Sequence, residues 1–350
     1  MASVPSLKRG TNFSHWLSQA DLSDSAALET CVTFDDCARM AAYGADHVRQ
    51  PVDYELIESP EAPHELLERG MVYVNRAVEW SRRAGLSLVL DLHKAPGMSF
   101  FTPGENDVWT QPPLQRRFAG IWQRLAERYR SSRCDHVAFE LLNEPTATDP
   151  ADWNKLARIG LEAVREVDAK RMVLVTSNSW GSTTTFPALE DFRDPNVIYT
   201  FHFYEPFIFT HQRASWVESL KRLDMDVEYP CMVPDLTEAA AAMPTEEMRK
   251  AILYWSGVGL DRKRLEAHLK PALEFRDRTG RPLYCGEFGV IRNAPIESQK
   301  RWLADMRDMF DRHDIGWANW DYKGGFGLLT PEREERPIRQ ALFPSPQRAR

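Results

Sequence analysis

The chain has 350 residues, a formal net charge of −7 and 11 tryptophans. Its composition, 43% hydrophobic and 27% charged, is typical of a soluble globular protein, and no apolar run is long enough to predict a transmembrane helix. The negative charge disfavours nucleic acid as a partner, because phosphate binding needs clustered Lys and Arg. The five cysteines follow no compact spacing, so neither a disulfide framework nor a zinc site is predicted.

Residues 1–9 contain no apolar stretch of the kind found in a signal peptide. We therefore expect a cytoplasmic protein, or a secreted one whose leader has been removed, with no membrane partner. The oligomeric state is left open. The many tryptophans fit a neutral, flat ligand, because the C–H faces of a sugar ring pack on an indole.

Short apolar, β-branched runs alternate with amphipathic helical stretches along nearly the whole chain. Eight runs are predicted strands: 7–12, 45–51, 86–93, 136–143, 171–176, 197–203, 283–287 and 315–320. Helical patterns between them include 73–84, 114–129, 153–167, 262–278 and 296–313. Eight β-then-α units predict one (β/α)8 barrel domain over residues 1–350. A doubly wound open sheet is the alternative, but residues 10–14 lack the spacing of its Gly-rich phosphate loop.

One connection is unusually long, because residues 204–261 separate the sixth predicted strand from its helix. Long connections inside a compact domain are often lids or cleft walls. We predict that this insertion forms a wall of the binding cleft, although its aromatic residues could equally form a small core of their own.

In a barrel of this kind the active site lies at the C-terminal ends of the strands. The predicted strand ends are rich in polar and aromatic side chains: Asn12, His15, Arg49, Asp91, His93, Asn143, Glu144, Asn178, Trp180, His202, Tyr204, Glu287 and Trp320. Asp91 and Glu140 lie deeper in their strands. We predict that these two are buried partners in a polar network.

Two glutamates, Glu144 and Glu287, each follow an apolar run. Hydrolysis of a glycosidic bond needs two carboxyl groups in most families, one to protonate the leaving oxygen and one to attack or to activate water. Pro145 pushes Glu144 toward an extended conformation, so the fourth strand is predicted to end there. Asn143 and Glu144 can both reach one ligand only if the strand end is bulged or has left the sheet.

Several motifs lie at the ends of the predicted strands. In chain order they are Asp91-Leu92-His93, Leu142-Asn143-Glu144-Pro145, His202-Phe203-Tyr204 and Gly286-Glu287-Phe288-Gly289, followed by Trp320. Together they resemble glycoside hydrolase family 5, the cellulase family of clan A. Residues 9–17 also resemble the first strand and loop of that family. The resemblance spans residues 7–325 and implies a retaining β-glycosidase on a (β/α)8 barrel.

The resemblance implies that Glu144 is the general acid/base and Glu287 the nucleophile. Arg49 is expected to lie close to Glu287 and Tyr204 to donate to it, and both contacts favour the ionised nucleophile. Glu144 is expected to start protonated, with a raised pKa, until the glycosyl-enzyme forms and removes the charge that raised it.

The resemblance also implies contacts with the sugar at the cleavage point. Asn143 is expected to bond its 2-hydroxyl, His93 and His202 to line the same subsite, and Trp320 to form the platform under the ring. The weaker candidates, for outer subsites, are His15, Trp109, Trp180 and His211.

A metal centre is the main alternative barrel chemistry, since histidines and glutamates at strand ends are possible ligands. No His-x-His pair follows the first strand. We therefore predict no metal and no other cofactor.

The implied partner is a β-linked oligo- or polysaccharide, and endo-β-1,4-glucanase activity is our first expectation. Residues 91–97 resemble the corresponding stretch of exo-β-1,3-glucanases, so an exo-acting β-glucosidase or β-1,3-glucanase is the second, and a β-mannanase is the third. A non-catalytic carbohydrate-binding barrel is the alternative of another class. The intact pair Glu144 and Glu287 disfavours it.

Overall fold

The structure is a computed structural model that describes residues 5–59, 62–63, 65–102, 105–130 and 135–344. Its strands are β1 (Arg9–Asn12), β2 (His47–Asp53), β3 (Ser87–Lys94), β4 (Val137–Glu140), β5 (Val173–Thr176), β6 (Val197–Phe203), β7 (Cys231–Met232), β8 (Gly259–Leu260), β9 (Leu283–Phe288) and β10 (Gly316–Asn319). Eight of them close a parallel barrel in the order β1, β10, β9, β6, β5, β4, β3, β2. The predicted (β/α)8 fold is confirmed, and every predicted run overlaps a strand of the barrel.

The helices of the described residues vary from one turn to five. They are α1 (Ser25–Thr30), α2 (Phe34–Tyr43), α3 (Tyr54–Ile57), α4 (Glu68–Arg83), α5 (Pro112–Arg128), α6 (Pro150–Val167), α7 (Asn178–Gly181), α8 (Phe207–Thr210), α9 (Glu218–Lys221), α10 (Thr237–Ala241), α11 (Glu246–Leu253), α12 (Arg262–Thr279), α13 (Ile296–Arg312) and α14 (Arg339–Leu342), with a 3₁₀ helix at Thr183–Ala188. Among them we find none with the length and apolar character that a membrane span needs.

Helix α6 illustrates how local sequence sets an element and ties it to the barrel. The side chain of Asp149 accepts from the backbone N–H of Ala151, and Pro150 occupies the first turn, where its missing N–H has no cost. On the buried face, the indole Nε1 of Trp153 donates to the carbonyl of Thr176 at 2.8 Å. The helix is thereby fixed to the C-terminal end of β5.

The barrel interior is a packed core. Its apolar layer consists of Leu7, Val89, Ala138, Leu174, Tyr284 and Ala318. Side chains two residues apart on a strand share a face. Asp91, Glu140 and Thr176 therefore stand above this layer, two residues further along β3, β4 and β5, and all three are fully buried.

The described residues group into two compact units. The first lies within residues 1–202, 271–287 and 315–319, and the second within 203–270, 288–314 and 320–350. The first unit holds the barrel strands, apart from the last residues of β6 and β9. The prediction of a single catalytic domain over the chain stays a prediction.

The long connection after β6 is folded. It contains α8 to α11 and a two-stranded antiparallel sheet in which Cys231 pairs with Leu260. The buried ring of Tyr229 packs against Phe209 at a centroid distance of 5.7 Å, and its hydroxyl donates to Asp305 at 2.8 Å. The segment thus has a core of its own, and its role as a cleft wall stays a prediction.

The cysteines that the structure describes, Cys31, Cys37, Cys231 and Cys285, are not joined in disulfides. This agrees with the expectation of no disulfide framework. Burial raises the pKa of Cys37 to about 12, so this thiol is unreactive. Cys134 lies outside the described residues.

The packing of β10 against the segment before β1 gives a test of the barrel closure. A Cβ at Gly316 would lie 1.8 Å from the carbonyl oxygen of Leu7. Because that atom is backbone and cannot turn away, Gly316→Ala should lower the free energy of unfolding by about 1–3 kcal/mol or more, measured by urea denaturation. Gly325→Ala is the control, since no atom lies within 4 Å of its added Cβ. Equal stability of the two variants would contradict this account.

Candidate active site

The guanidinium of Arg49, the third residue of β2, is fully buried and contacts three carboxylates. Its Nε donates to Glu140 at 2.6 Å and its Nη1 donates to Glu287 at 2.8 Å. Its Nη2 lies 3.1 Å from Asp91. These contacts confirm that Asp91 and Glu140 are buried partners and that Arg49 lies beside Glu287.

One positive charge faces three carboxyl groups in this cluster. Burial raises the pKa of Asp91 to about 7 although Arg49 opposes the shift, and burial likewise raises the pKa of Glu140. Burial works against the charged form of Arg49, but the carboxylates of Asp91, Glu140 and Glu287 raise its pKa well above the usual value. The guanidinium is therefore a permanent positive charge.

Two asparagine side chains complete the shell around the guanidinium. Arg49 donates to Oδ1 of Asn12 at 2.9 Å and to Oδ1 of Asn143 at 2.8 Å. The amide nitrogen of Asn12 in turn donates to the carbonyl of Gly286 at 2.9 Å, next to Glu287. Asn12 therefore holds the strand of Glu287 as well as the side chain of Arg49.

The segment that carries Asn143 and Glu144 has left the barrel sheet. Strand β4 ends at Glu140, so the predicted end at Asn143, just before Glu144, was three residues too late. The backbone N–H of Asn143 donates to the carbonyl of Leu92 at 3.1 Å, and the indole of Trp122 donates to that of Leu141 at 3.1 Å. Asn143 and Glu144 were expected to reach one ligand only if the strand end was bulged or had left the sheet. The chain has left the sheet here, so this condition is met.

Glu144, His202 and Glu287 come together at the mouth of the barrel. Each offers an atom that lies within 4.8 Å of the other two. Nδ1 of His202 is 2.8 Å from Oε1 of Glu144 and 3.6 Å from Oε2 of Glu287. Such a set could in principle hold a divalent ion, but the guanidinium of Arg49 on Glu287 places a fixed positive charge beside it and disfavours a cation.

Burial raises the pKa of Glu144 to about 8, the charge of Glu140 adds to the shift, and Arg49 opposes it. The direction is as expected, but the cause is burial rather than the charge of Glu287. Burial also lowers the pKa of His202, so its ring is neutral. A neutral ring can accept from protonated Glu144 or donate to the ionised form, and it orients both.

The two glycines that flank Glu287 permit close approaches. A Cβ at Gly286 would lie 3.1 Å from Oγ1 of Thr200 and 3.2 Å from Nε2 of His202, and one at Gly289 would lie 2.2 Å from the carbonyl oxygen of Trp320. Gly289 therefore allows the close approach of a backbone carbonyl, and Gly286 that of two side chains.

His93 is fully buried and both of its ring nitrogens are engaged. Nδ1 is 2.7 Å from Oδ2 of Asp91, and Nε2 is 2.7 Å from the amide nitrogen of Gln19. Sequence reasoning missed Gln19. Nothing in its local sequence indicates the contact, which depends on how the loop after β1 lies against β3.

Tyr204, His211 and Trp320 belong to the second compact unit. Trp320 packs in a cluster with Phe326 and Tyr204. The ring of His211 is buried, with the edge of Tyr204 at 5.0 Å, and burial lowers its pKa to about 3. The predicted hydrogen bond from Tyr204 to Glu287 stays a prediction.

The remaining candidates differ in exposure. Trp180 is 48% exposed, and its backbone N–H donates to the carbonyl of Pro145 at 3.2 Å, directly after Glu144. His15 is exposed. Trp109 is only 6% exposed and meets Trp153 edge to face, a core position that offers a sugar little ring surface.

Comparison with known proteins identifies the family. The sequence profile described as "Cellulase (glycosyl hydrolase family 5)" matches residues 29–325. The chain is 38% identical over 338 residues to Endoglucanase C of Acetivibrio thermocellus, covering 96% of this chain and 97% of that protein. This chain belongs to glycosyl hydrolase family 5. As a member of that family it is a glycoside hydrolase.

Two other similar proteins agree with this chain in extent or in fold. Cellodextrinase A of Ruminococcus flavefaciens is 31% identical over 88% of this chain and 83% of its own length. The crystal structure of an endoglucanase from Thermotoga maritima superposes with a TM-score of 0.76 at 23% identity, covering 96% of each chain. This likeness supports the barrel fold.

We expect the buried side chain of Arg49 to contribute to the free energy of unfolding. Lysine offers one point charge and cannot bond Glu140, Asp91 and Glu287 at once, so Arg49→Lys should leave buried carboxyl groups unpaired and cost about 3–5 kcal/mol in the free energy of unfolding. Guanidinium chloride denaturation measures this difference. Arg124→Lys is the control, since the Arg124–Glu127 pair is exposed and exposed pairs contribute about 0–1 kcal/mol. A wild-type midpoint for Arg49→Lys would refute the structural role.

Proposed function

We propose that this protein is a retaining endo-β-1,4-glucanase in which Glu287 is the nucleophile and Glu144 the general acid/base. The observation that carries the proposal is that one oxygen of each carboxylate lies within 4.8 Å of the other. Retaining glycosidases hold their carboxyl groups about 5–5.5 Å apart, and inverting enzymes about 6.5–9.5 Å apart to admit a water. The spacing here favours direct attack by the enzyme.

In the first step, the carboxylate of Glu287 attacks the anomeric carbon and the bond to the glycosidic oxygen breaks. Glu144 gives its proton to that oxygen, and the shortened glucan leaves as an alcohol. Arg49 contributes by holding Oε1 of Glu287, which fixes the plane of the carboxylate and favours its charged form.

In the second step, water attacks the anomeric carbon and gives a proton to Glu144, while the ester bond to Glu287 breaks. Two displacements restore the original configuration at the anomeric carbon. The neutral imidazole of His202 supports both steps, because it keeps Glu144 in place in its protonated and ionised forms.

We further propose the sugar contacts that the family resemblance implies. Asn143 binds the 2-hydroxyl of the attacked sugar, since the same amide is already oriented by Arg49. Tyr204 bonds the nucleophile, and Trp320 supplies the platform for the ring. Trp180, with its exposed indole held by the carbonyl of Phe100 at 3.1 Å, binds a sugar further along the glucan.

The relatives favour endo action. Endoglucanase C of Acetivibrio thermocellus shares 38% identity over 96% of this chain, and a protein named as a probable glucan 1,3-beta-glucosidase shares 30% over only 54%. A cellodextrinase is the second candidate, because the relative of that name covers 88% of the chain.

The lengths of the products decide between an endoglucanase and a cellodextrinase. Mixed oligomers from β-1,4-glucan support endo action, release of cellobiose or glucose from short chains supports the second candidate, and binding without turnover would contradict catalysis.

The roles of the two glutamates can be separated with azide. Removing a carboxylate leaves room for this small nucleophile on the same face of the sugar. Glu287→Ala with azide and an activated aryl β-cellobioside should therefore give the α-glycosyl azide, and Glu144→Ala should give the β-glycosyl azide. Without azide, Glu287→Ala should lose about 10⁴-fold or more in kcat. Proton NMR of the anomeric centre measures both products, and the opposite assignment would reverse the roles.

The raised pKa of Glu144 predicts the alkaline side of the activity profile. Only protonated Glu144 can donate to the leaving oxygen, so kcat/KM for cellopentaose should fall tenfold per pH unit above about 8, the pKa of this group. Initial rates between pH 5 and 10 measure the profile. Glu144→Gln is the matched variant. It should be slower by about 10²–10⁴-fold and should lack this fall. If the variant kept the same alkaline limb, another group would be responsible.

A further inference from the structure

The environment of His93 makes direct sugar binding by this ring difficult. Oδ2 of Asp91 and the amide of Gln19 engage its two nitrogens, and the edge of the ring meets Phe100 at a centroid distance of 5.2 Å. The ring is fully buried. A sugar hydroxyl could bond His93 only by displacing one of these partners.

The protonation of His93 sets the direction of the Gln19 amide. Above its pKa of about 7, Asp91 is ionised, and its Oδ2, which lies 3.1 Å from the guanidinium of Arg49, can only accept, so Nδ1 of His93 carries the ring proton. Burial lowers the pKa of His93 well below its usual value, and the neutral ring has no second proton. Nε2 is then an acceptor, and the NH₂ group of Gln19 must donate to it. The amide oxygen of Gln19 consequently points away from His93.

The backbone of Gln19 is held in an unusual conformation. Its φ is +50°, in the left-handed region of backbone conformation that residues other than glycine seldom adopt. Its N–H donates to Oδ2 of Asp53 at 3.0 Å, and the same oxygen accepts from Nζ of Lys94 at 2.7 Å. Such conformations persist where the surroundings enforce them, often at ligand sites. In the part of the chain that the structure describes, no hydrogen bond is found to Oε1 of this half-buried side chain.

The position of Gln19 relative to the glutamates indicates which sugar it faces. Glu144 follows β4 and Glu287 lies on β9, and the barrel order places β10, β1, β2 and β3 on one side of this pair. Gln19 follows β1 on that side and joins Glu287 through the chain of Arg49, Asp91 and His93. This network belongs to the nucleophile, which bonds the sugar on the non-reducing side of the cleavage point. Because Arg49, Asp91 and His93 lie between Glu287 and Gln19 in this chain of contacts, we infer that Gln19 faces a sugar beyond the first one.

We propose that Gln19 is a substrate-binding residue whose amide oxygen accepts from a hydroxyl of the second sugar on the non-reducing side, and that His93 is the positioning residue for this amide. This inference rests on the proposed function. It predicts that Gln19 determines how much a second sugar raises kcat/KM.

The test compares two aryl substrates in one enzyme. 4-Nitrophenyl β-cellobioside presents two sugars on the non-reducing side, and 4-nitrophenyl β-glucoside presents one. In Gln19→Ala the ratio of kcat/KM for the cellobioside to that for the glucoside should fall about 3- to 10-fold, the effect of one neutral hydrogen bond. If both substrates slowed equally, Gln19 would only brace the site and the proposal would fail. If the wild type turned over neither substrate, the proposed function would fail first.

A double-mutant cycle tests the role of His93. If His93 acts through Gln19, His93→Ala should lower the same ratio, and adding Gln19→Ala should change it by less than about twofold. Two independent, multiplying effects on the ratio would overturn the positioning role. Gln19→Glu serves as a second variant that keeps the side-chain length. Its carboxylate cannot donate to Nε2, so the ratio should again fall. Retention of the wild-type ratio would also overturn the proposal.

Discussion

The interaction on which this site depends is the burial of one guanidinium among three carboxyl groups. Arg49 bonds Glu140 and Glu287 directly and lies 3.1 Å from Asp91. Isolated charges in a barrel interior are strongly unfavourable, so each member is tolerated only because the others are present. The cluster therefore fixes the strands β2, β3, β4 and β9 in one arrangement. The same contacts that satisfy the buried charge also orient the carboxylate of Glu287.

This arrangement makes Glu144 and Glu287, the two glutamates at the mouth of the barrel, chemically unequal. Glu287 receives a hydrogen bond from Arg49, and that contact favours its ionised form. Glu144 instead pairs with the neutral ring of His202, and burial raises its pKa. A nucleophile and a proton donor need opposite charge states at one pH. The difference arises from which carboxylate reaches the guanidinium, since the two side chains are identical.

The polar contacts of Arg49 continue beyond Glu144 and Glu287, through Asp91 and His93 to Gln19. The charge of Arg49 favours the ionised form of Asp91, ionised Asp91 sets the tautomer of His93, and His93 sets the direction of the Gln19 amide. In the last two links one donor faces one acceptor, so the orientation passes outward while Asp91 is ionised. A buried charge can in this way determine which polar atom meets a ligand at the rim of the barrel.

The sequence by itself determined the barrel, the eight strands and the two glutamates, because buried parallel strands leave apolar runs and strand ends collect polar residues. It also placed Arg49 beside Glu287, through the family resemblance. Only the tertiary structure decided that β4 ends at Glu140, that burial rather than the charge of Glu287 raises the pKa of Glu144, and that Gln19 meets His93. These features depend on contacts between residues distant in the chain, and no local pattern encodes where a loop crosses a strand or how deeply a carboxyl group is buried.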